Sequence, residues 1–169
     1  MKSINNIFKK VCILAIVTSM AGCDMLDTKP YDFVAPETFY KNETDCTMAL
    51  AGVYWTMAAE HVYGNRYSCM LSNIDDLSYY YRQNQTSAVV ANSHNTGNTD
   101  LWYTWESLYS GINNANVLLD NIDGASISDE KVRARIKGEA KFLRAYYHFL
   151  LVQGWYEVPI RKETVKDIT

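Results

Sequence analysis

Apolar side chains recur at intervals of three and four residues in four stretches of this chain, and this spacing limits what the chain can fold into. It places the apolar side chains on one face of an α-helix, whereas a half-buried strand alternates at every second residue. The four sets are Cys46, Ala49, Leu50, Val53, Tyr54 and Met57; Tyr67, Met70, Leu71, Ile74 and Leu77; Trp105, Leu108, Tyr109, Ile112, Leu119 and Ile122; and Val132, Ile136, Ala140, Leu143, Tyr147 and Leu150. The sequence therefore predicts an all-α fold of four main helices in two antiparallel pairs, with Trp105 and Leu143 in the core.

Capping residues predict where these helices begin and end. Asn42 precedes the first stretch and has Asp45 three residues later, as in a capping box. Asp100 and Ser128 are expected to cap the third and fourth helices. The glycines expected to end the first, third and fourth helices are Gly64, Gly124 and Gly154.

Polar residues inside the third and fourth helices are interpreted as supports for packing. Asn113, Asn114 and Asn116 lie in a helix, which Asn disfavours, so at least one should turn inward and satisfy backbone groups between helices. Glu139 lacks a second acid at a defined distance, so a catalytic role is not favoured. We interpret Glu139 and Arg144 as polar anchors that fix the helix packing.

The N-terminus has the order of a secretory signal peptide: lysines, an apolar run at 11–17, and small residues before Cys23. The apolar run is too short to span a bilayer. Cys23 follows Ala21 and Gly22 as in a bacterial lipobox, which predicts cleavage before Cys23 and its acylation. The alternative is an ordinary signal peptide with an incidental cysteine. The predicted organisation is a signal peptide at 1–22, a tether at 23–41 and a helical domain at 42–169.

Charge and motifs exclude several classes of function. The net charge is −3 with both signs mixed along the chain, which is unlike the basic footprint of a nucleic-acid binder. No His, Cys and carboxylate residues have metal-ligand spacing, and neither a nucleophile elbow nor a phosphate loop is present. The sequence therefore predicts no metal, cofactor or catalytic residue.

Two cysteines of the predicted domain are expected to stay free. On consecutive antiparallel helices Cys46 and Cys69 would differ in height by on the order of 20 Å. A disulfide needs Cα atoms within about 7 Å of each other.

A candidate ligand surface flanks the Asn-rich stretch at 83–99. Flat aromatic rings stack on the C–H face of a sugar, and carboxylate and guanidinium groups bond its hydroxyls. The candidate residues are Asp75, Tyr79, Arg82, Trp102 and Tyr103. The alternative for each aromatic residue is a core position, above all for Trp102, which lies nearly one helical turn before Trp105.

Four segments stand in a characteristic order along the chain. They are Cys23 followed by Leu26-Asp27-x-x-Pro30; Ala49-Leu50-Ala51-Gly52-Val53-Tyr54; Trp105-x-x-Leu108-Tyr109-x-x-Ile112-x-Asn114-Ala115-Asn116; and Gly138-Glu139-Ala140-Lys141-Phe142-Leu143-Arg144-Ala145-Tyr146-Tyr147 with Val158-Pro159-Ile160 after it. In this combination the chain resembles the N-terminal part of the SusD/RagB family of Bacteroidota outer-membrane lipoproteins. The resemblance implies tetratricopeptide-like antiparallel helix pairs, incomplete relative to the full family fold, whose members run to several hundred residues.

The resemblance also implies a function. Family members are non-catalytic, lipid-anchored proteins of the cell surface that capture glycans, or peptides in some members, beside a TonB-dependent transporter barrel. One alternative is a helical-repeat lipoprotein that scaffolds outer-membrane assembly, which would need protein-binding grooves. Another is a surface lipoprotein enzyme, which would need perturbed carboxylates facing each other in a pocket.

Replacement of Cys23 tests the predicted anchor. Several acyl chains hold a protein stably at a bilayer, so Cys23→Ala should move the protein from the detergent phase to the aqueous phase in a phase-separation assay. Mass spectrometry that finds an unmodified Cys23 in the mature protein would contradict the prediction.

Overall fold

A computed structural model of the chain describes residues 39–68, 77 and 93–165. Its three long helices are α1 (Glu43–Ala58), α2 (Thr99–Asn121) and α3 (Glu130–Trp155). A π-helix at Glu60–Gly64 follows α1, and a 3-10 turn at Ile122–Gly124 follows α2. Within the described ranges there is no β-strand, only an isolated bridge between Asn42 and Ser126. The all-α prediction is confirmed.

Side-chain contacts show that α2 and α3 run antiparallel. Trp105 near the start of α2 contacts Trp155 at the end of α3, and Asn116 near the end of α2 contacts Arg144 in the middle of α3. The second predicted helix is described only at its start, where residues 66–68 are helical. Its remaining positions, apart from residue 77, lie outside the described residues.

The predicted start of the first helix is confirmed. The side chain of Asn42 accepts a hydrogen bond from the backbone N–H of Asp45 at 3.0 Å. The carboxylate of Asp45 accepts from the N–H of Lys41 at 2.8 Å, one residue before the position that a capping box would use.

The other two predicted caps are wrong by one or two residues. Asn98 caps α2 by accepting from Leu101 N, and Asp129 caps α3 by accepting from Lys131 N. Both residues have the extended backbone that a cap requires. Asp100 lies inside the first turn of α2, where its negative charge still stabilises the positive end of the helix.

The helices also end at residues other than the predicted glycines. α1 stops at Ala58, and Gly64 instead ends the π-helix, where a Cβ would lie 2.6 Å from the carbonyl oxygen of Ala58. α2 passes into the 3-10 turn before Gly124. α3 continues past Gly154 to Trp155, and the residue that follows its end is Tyr156, which has a positive φ of 65°.

The core lies where α1, α2 and α3 cross. Tyr147 of α3 is fully buried, and its hydroxyl donates a hydrogen bond to the carbonyl oxygen of Val53 at 2.6 Å. Gly111 of α2 faces the same point, where an added Cβ would lie 2.6 Å from Thr56 and 2.8 Å from Tyr147. We call this point the helix crossing. Leu143 is also buried, as predicted, whereas Trp105 is only partly buried.

Burial raises the pKa of Tyr147 to about 12, from its usual 10. The phenol therefore stays protonated and remains a donor at neutral pH. Because the pKa is higher in the folded state, the related stability is complete below pH 10 and decreases as the pH rises towards 12.

Cys46 is buried and free, as predicted, and burial raises the pKa of its thiol. Cys69 itself lies outside the described residues.

Adding a methyl group at the helix crossing should destabilise the fold. Gly111→Ala forces two buried side chains apart, at a cost of about 1–3 kcal/mol in the free energy of unfolding. Gly138→Ala is the control, because outside its own helix a Cβ there has no atom of the described residues within 4 Å. That control should stabilise α3 by about 0.5–1 kcal/mol, since Ala favours a helix over Gly. Urea unfolding compares the two variants, and a Gly111→Ala protein as stable as the wild type would contradict the packing described.

Candidate functional site

The structure describes two of the five predicted ligand residues. Trp102 and Tyr103 lie in the first turn of α2 with 55 % and 41 % of their surface exposed. Trp102 is therefore not a core residue. The residues that lie outside the described part of the chain are Asp75, Tyr79 and Arg82, together with the predicted lipidation site Cys23.

Trp102 and Tyr103 form a row of rings with a histidine that the sequence did not indicate. The rings of Trp102 and Tyr103 meet edge to face, with centroids 4.9 Å apart. Tyr103 stacks on His61 of the π-helix at 4.7 Å, with an angle of 18° between the planes. We call these three residues the aromatic row. No spacing in the sequence links His61 to α2, since about forty residues separate them.

A buried hydroxyl fixes the position of the aromatic row. Thr104 is fully buried, and its Oγ1 lies 2.8 Å from the carbonyl oxygen of Asp100 and 2.9 Å from that of His61. This contact holds the first turn of α2 against the π-helix. The π-helix contains a kink at Val62, which turns the chain towards α2 after α1 has ended.

Charged groups lie beside the aromatic row. Arg66 pairs with Glu60 at 3.6 Å and with Asp100 at 3.5 Å. All three side chains are accessible to solvent, so these ion pairs contribute little to stability. Their donors and acceptors are available to a hydroxylated ligand at the rings.

His61 carries an unsatisfied atom within this arrangement. Its Nδ1 is buried and has no hydrogen-bond partner among the residues that the structure describes.

Residues 157–165 form an extended segment across α2 and α3, which we call the C-terminal strap. Four side chains on one face of α2 bind it through hydrogen bonds: Tyr109 to Pro159 O, Asn113 to Val165 N, Asn116 to Glu163 O, and Asp120 to the hydroxyl of Thr164. From α3, Nε2 of His148 accepts from Arg161 N at 3.1 Å. The strap is therefore recognised mainly through its backbone.

Asn116 is an asparagine that turns inward, as the sequence predicted. It is 1 % exposed, donates to the carbonyl of Glu163 at 2.9 Å and accepts from the guanidinium of Arg144 at 2.7 Å. Arg144 also donates to Lys162 O at 3.0 Å. Glu139 accepts from Tyr54 of α1 at 3.0 Å. The interpretation of Arg144 and Glu139 as polar anchors is thus confirmed.

An open pocket of about 320 Å³ lies between the strap and α2. Its wall includes Trp105, which packs against Trp155 at 5.4 Å and Tyr109 at 4.9 Å. Trp105 is thus a partly buried packing residue and not a fully enclosed one.

Within the described part of the chain, no group of three or more His, Cys, Asp or Glu residues is placed to hold a metal ion. The lowered pKa of the Asp123 carboxyl has a structural cause, because Lys137 binds it at 2.8 Å across the turn between α2 and α3. In the same part of the chain, no helix is both long and apolar enough to cross a membrane.

Comparison with protein families gives a match over nearly the whole chain after the predicted signal peptide. Residues 24–169 match the SusD-like family described as starch-binding and associating with the outer membrane. The chain belongs to the SusD-like family. Association with the outer membrane is therefore a property of its family, as the sequence resemblance implied.

Three curated relatives come from Formosa agariphila. SusD-like protein P25 is 30 % identical over 88 % of this chain and 30 % of its own length. SusD-like protein P2 is 26 % identical over 94 % of this chain, and SusD-like protein P38 is 24 % identical over 95 %. The chain spans about a third of the length of these relatives. No solved structure matches the chain significantly.

Removal of the Asn116 side chain should release the strap. Asn116→Ala leaves the carbonyl of Glu163 and part of the Arg144 guanidinium without partners, so the free energy of unfolding should fall by about 1–3 kcal/mol. Hydrogen exchange at Arg161 N and Val165 N should accelerate. Asn114→Ala is the control, since Asn114 is exposed and lies two residues away. Equal exchange rates in both variants would show that Asn116 does not hold the strap.

Proposed function

We propose that this chain is a non-catalytic lipoprotein of the outer membrane that binds glycans and delivers them to a TonB-dependent transporter. The exposed aromatic row at the start of α2 is the observation that carries the proposal, within a family described as starch-binding. Cys23 would carry the lipid anchor. Asp75, Tyr79 and Arg82 would supply further contacts to the ligand.

The chemistry of the aromatic row suits a sugar. A pyranose ring has a face of C–H groups that packs on an aromatic ring and an edge of hydroxyls that needs hydrogen bonds. Trp102 offers an exposed flat surface, and Tyr103 adds a hydroxyl. Asp100 and Arg66 lie beside them and offer an acceptor and donors.

The two alternatives have less support. The family description names binding and membrane association and no reaction, which supports a binding protein over an enzyme. A scaffold for outer-membrane assembly would need a groove open to a protein partner. In the described part of the chain, the C-terminal strap covers the side of α2 and α3 to which it is hydrogen-bonded, so that side is not open to a protein partner.

Delivery to a transporter requires a stable complex in the membrane. Affinity purification of the acylated protein from native outer membranes should recover a TonB-dependent barrel in stoichiometric amount. Recovery of assembly factors without such a barrel would favour the scaffold alternative.

Truncation of Trp102 separates binding from folding. Trp102→Ala should weaken the binding of a neutral oligosaccharide such as maltoheptaose about tenfold or more, which corresponds to about 1.4 kcal/mol. Because Trp102 is exposed, the free energy of unfolding should change by less than about 0.5 kcal/mol.

The matched control is Phe142→Ala, which removes an aromatic ring that is 66 % exposed on α3. Isothermal titration and thermal melts should show unchanged binding for this control. A Trp102→Ala protein that loses stability but keeps its affinity would contradict the proposed role of Trp102.

A further inference from the structure

A groove separates α1 from α2 on the side away from the C-terminal strap's hydrogen bonds. Its volume is about 340 Å³, and residues of α1 and α2 line it, among them Gly52, Trp55, Glu106, Ser110 and Asn114. Pockets for small molecules generally have volumes from about 300 Å³ upwards. The groove is therefore large enough for a small ligand or for one part of a longer ligand.

Trp55 supplies the aromatic side of this groove. Its side chain is 70 % exposed, more than the 55 % of Trp102. An indole has a large apolar face and one N–H donor, which makes it suited to surfaces that bind amphipathic molecules. Trp55 is thus available to stack on a ligand that enters the groove.

The opposite side of the groove is polar. Glu106, Ser110 and Asn114 recur every four residues, so they lie on one face of α2. All three are exposed, and none has a hydrogen bond or ion pair with any residue between 39 and 68 or between 93 and 165. Together they offer a carboxylate, a hydroxyl and an amide to a ligand.

The packing of α1 against α2 fixes the width of the groove. Thr56 and Gly111 meet at the helix crossing, so α1 and α2 have a fixed separation beside the groove. Gly52 contributes no side chain, and outside its own helix a Cβ at this position would have no atom of the described residues within 4 Å. A ligand can therefore enter without moving either helix.

The charge of the groove selects against anions. None of the residues that line it, all of them described, is Lys, Arg or His, and the carboxylate of Glu106 is the charged group among them. An anionic sugar would be repelled by Glu106. A neutral sugar has the C–H face for Trp55 and the hydroxyls for the polar side.

The groove continues from the aromatic row along α2. Trp102 and Glu106 are four residues apart and are therefore neighbours on the helix surface. From Trp102 to Asn114 the helix rises by about 18 Å. This distance is greater than one sugar ring spans.

We infer that the groove between α1 and α2 is a second sugar subsite, and that the ligand is a neutral oligosaccharide reaching from Trp102 to Trp55. This inference rests on the proposed function and gives it a substrate class. The aromatic row binds one part of the oligosaccharide, and Trp55 with Glu106, Ser110 and Asn114 binds another.

Ligand titrations of variants that fill the groove or remove its indole test the inference. The full chain in detergent is titrated with maltoheptaose, laminarihexaose and xylohexaose, with their disaccharides, and with hexagalacturonate as an anionic probe. We expect at least one neutral oligosaccharide to bind and hexagalacturonate not to bind. Gly52→Leu and Trp55→Ala should each lower the affinity for that oligosaccharide about tenfold.

Two comparisons make the test specific. Gly138→Leu is the matched control for Gly52→Leu, because it also adds a side chain at a helical glycine with open space and lies outside the groove. It should leave the affinity unchanged. Gly52→Leu should not affect binding of the disaccharide, whereas Trp102→Ala should weaken the binding of both ligands.

The outcomes separate the two proposals. If Gly52→Leu and Trp55→Ala bind the oligosaccharide as the unaltered chain does, while Trp102→Ala does not, the second subsite is wrong and the proposed function stands. Preferential binding of hexagalacturonate would overturn the inferred substrate class. If the unaltered chain binds none of the oligosaccharides, both the subsite and the proposed function are contradicted.

Discussion

The close approach of three helices at Gly111 is the constraint on which the rest of the structure depends. A glycine at this position lets Thr56 of α1 and Tyr147 of α3 lie against the backbone of α2. Tyr147 then reaches Val53 and donates a hydrogen bond in the interior, where its hydroxyl would otherwise be unsatisfied. The crossing thereby fixes which face of each helix is buried.

The faces of α2 that do not pack at the crossing contact the strap or are exposed to solvent. One face binds the C-terminal strap through Tyr109, Asn113, Asn116 and Asp120. At the start of α2, Trp102 lies on this same face two turns before Tyr109, and Tyr103 lies on the face that borders the groove containing Trp55. A single helix thus supports the core, the strap and the proposed ligand surface, so an error in its packing would affect all three.

The sequence predicted the helices better than their ends. Apolar spacing identified α1, α2 and α3 because burial of one face repeats along each helix. The caps of α2 and α3 were misplaced because several residues near each start have capping side chains, and only the backbone conformation decides among them. At the end of α3, Tyr156 takes a conformation for which the sequence gives no signal.

The site was only partly predictable for a similar reason. Trp102 and Tyr103 were candidates because they flank the Asn-rich stretch and can stack on a sugar; the structure shows that they are exposed, and their contact with a ligand stays a prediction. The sequence did not indicate His61 and Trp55, which the proposals add, because their neighbours at these surfaces come from distant parts of the chain. Trp55 lies outside the apolar set of its helix, on the opposite side, so its exposure agrees with the spacing, but nothing in the sequence marked it as a ligand residue.

The central claim is that ligand binds on the exposed aromatic residues of α2 and its neighbour α1, and the chain's four tryptophans allow a direct test. Trp55 and Trp102 are exposed, whereas Trp105 and Trp155 are partly buried against the core. NMR of the protein with 15N-labelled tryptophan side chains gives one indole N–H signal for each residue. On titration with a neutral oligosaccharide that binds, the signals of Trp102 and Trp55 should shift and those of Trp105 and Trp155 should stay. Saturating shifts at Trp105 and Trp155 with Trp102 unchanged would contradict the account.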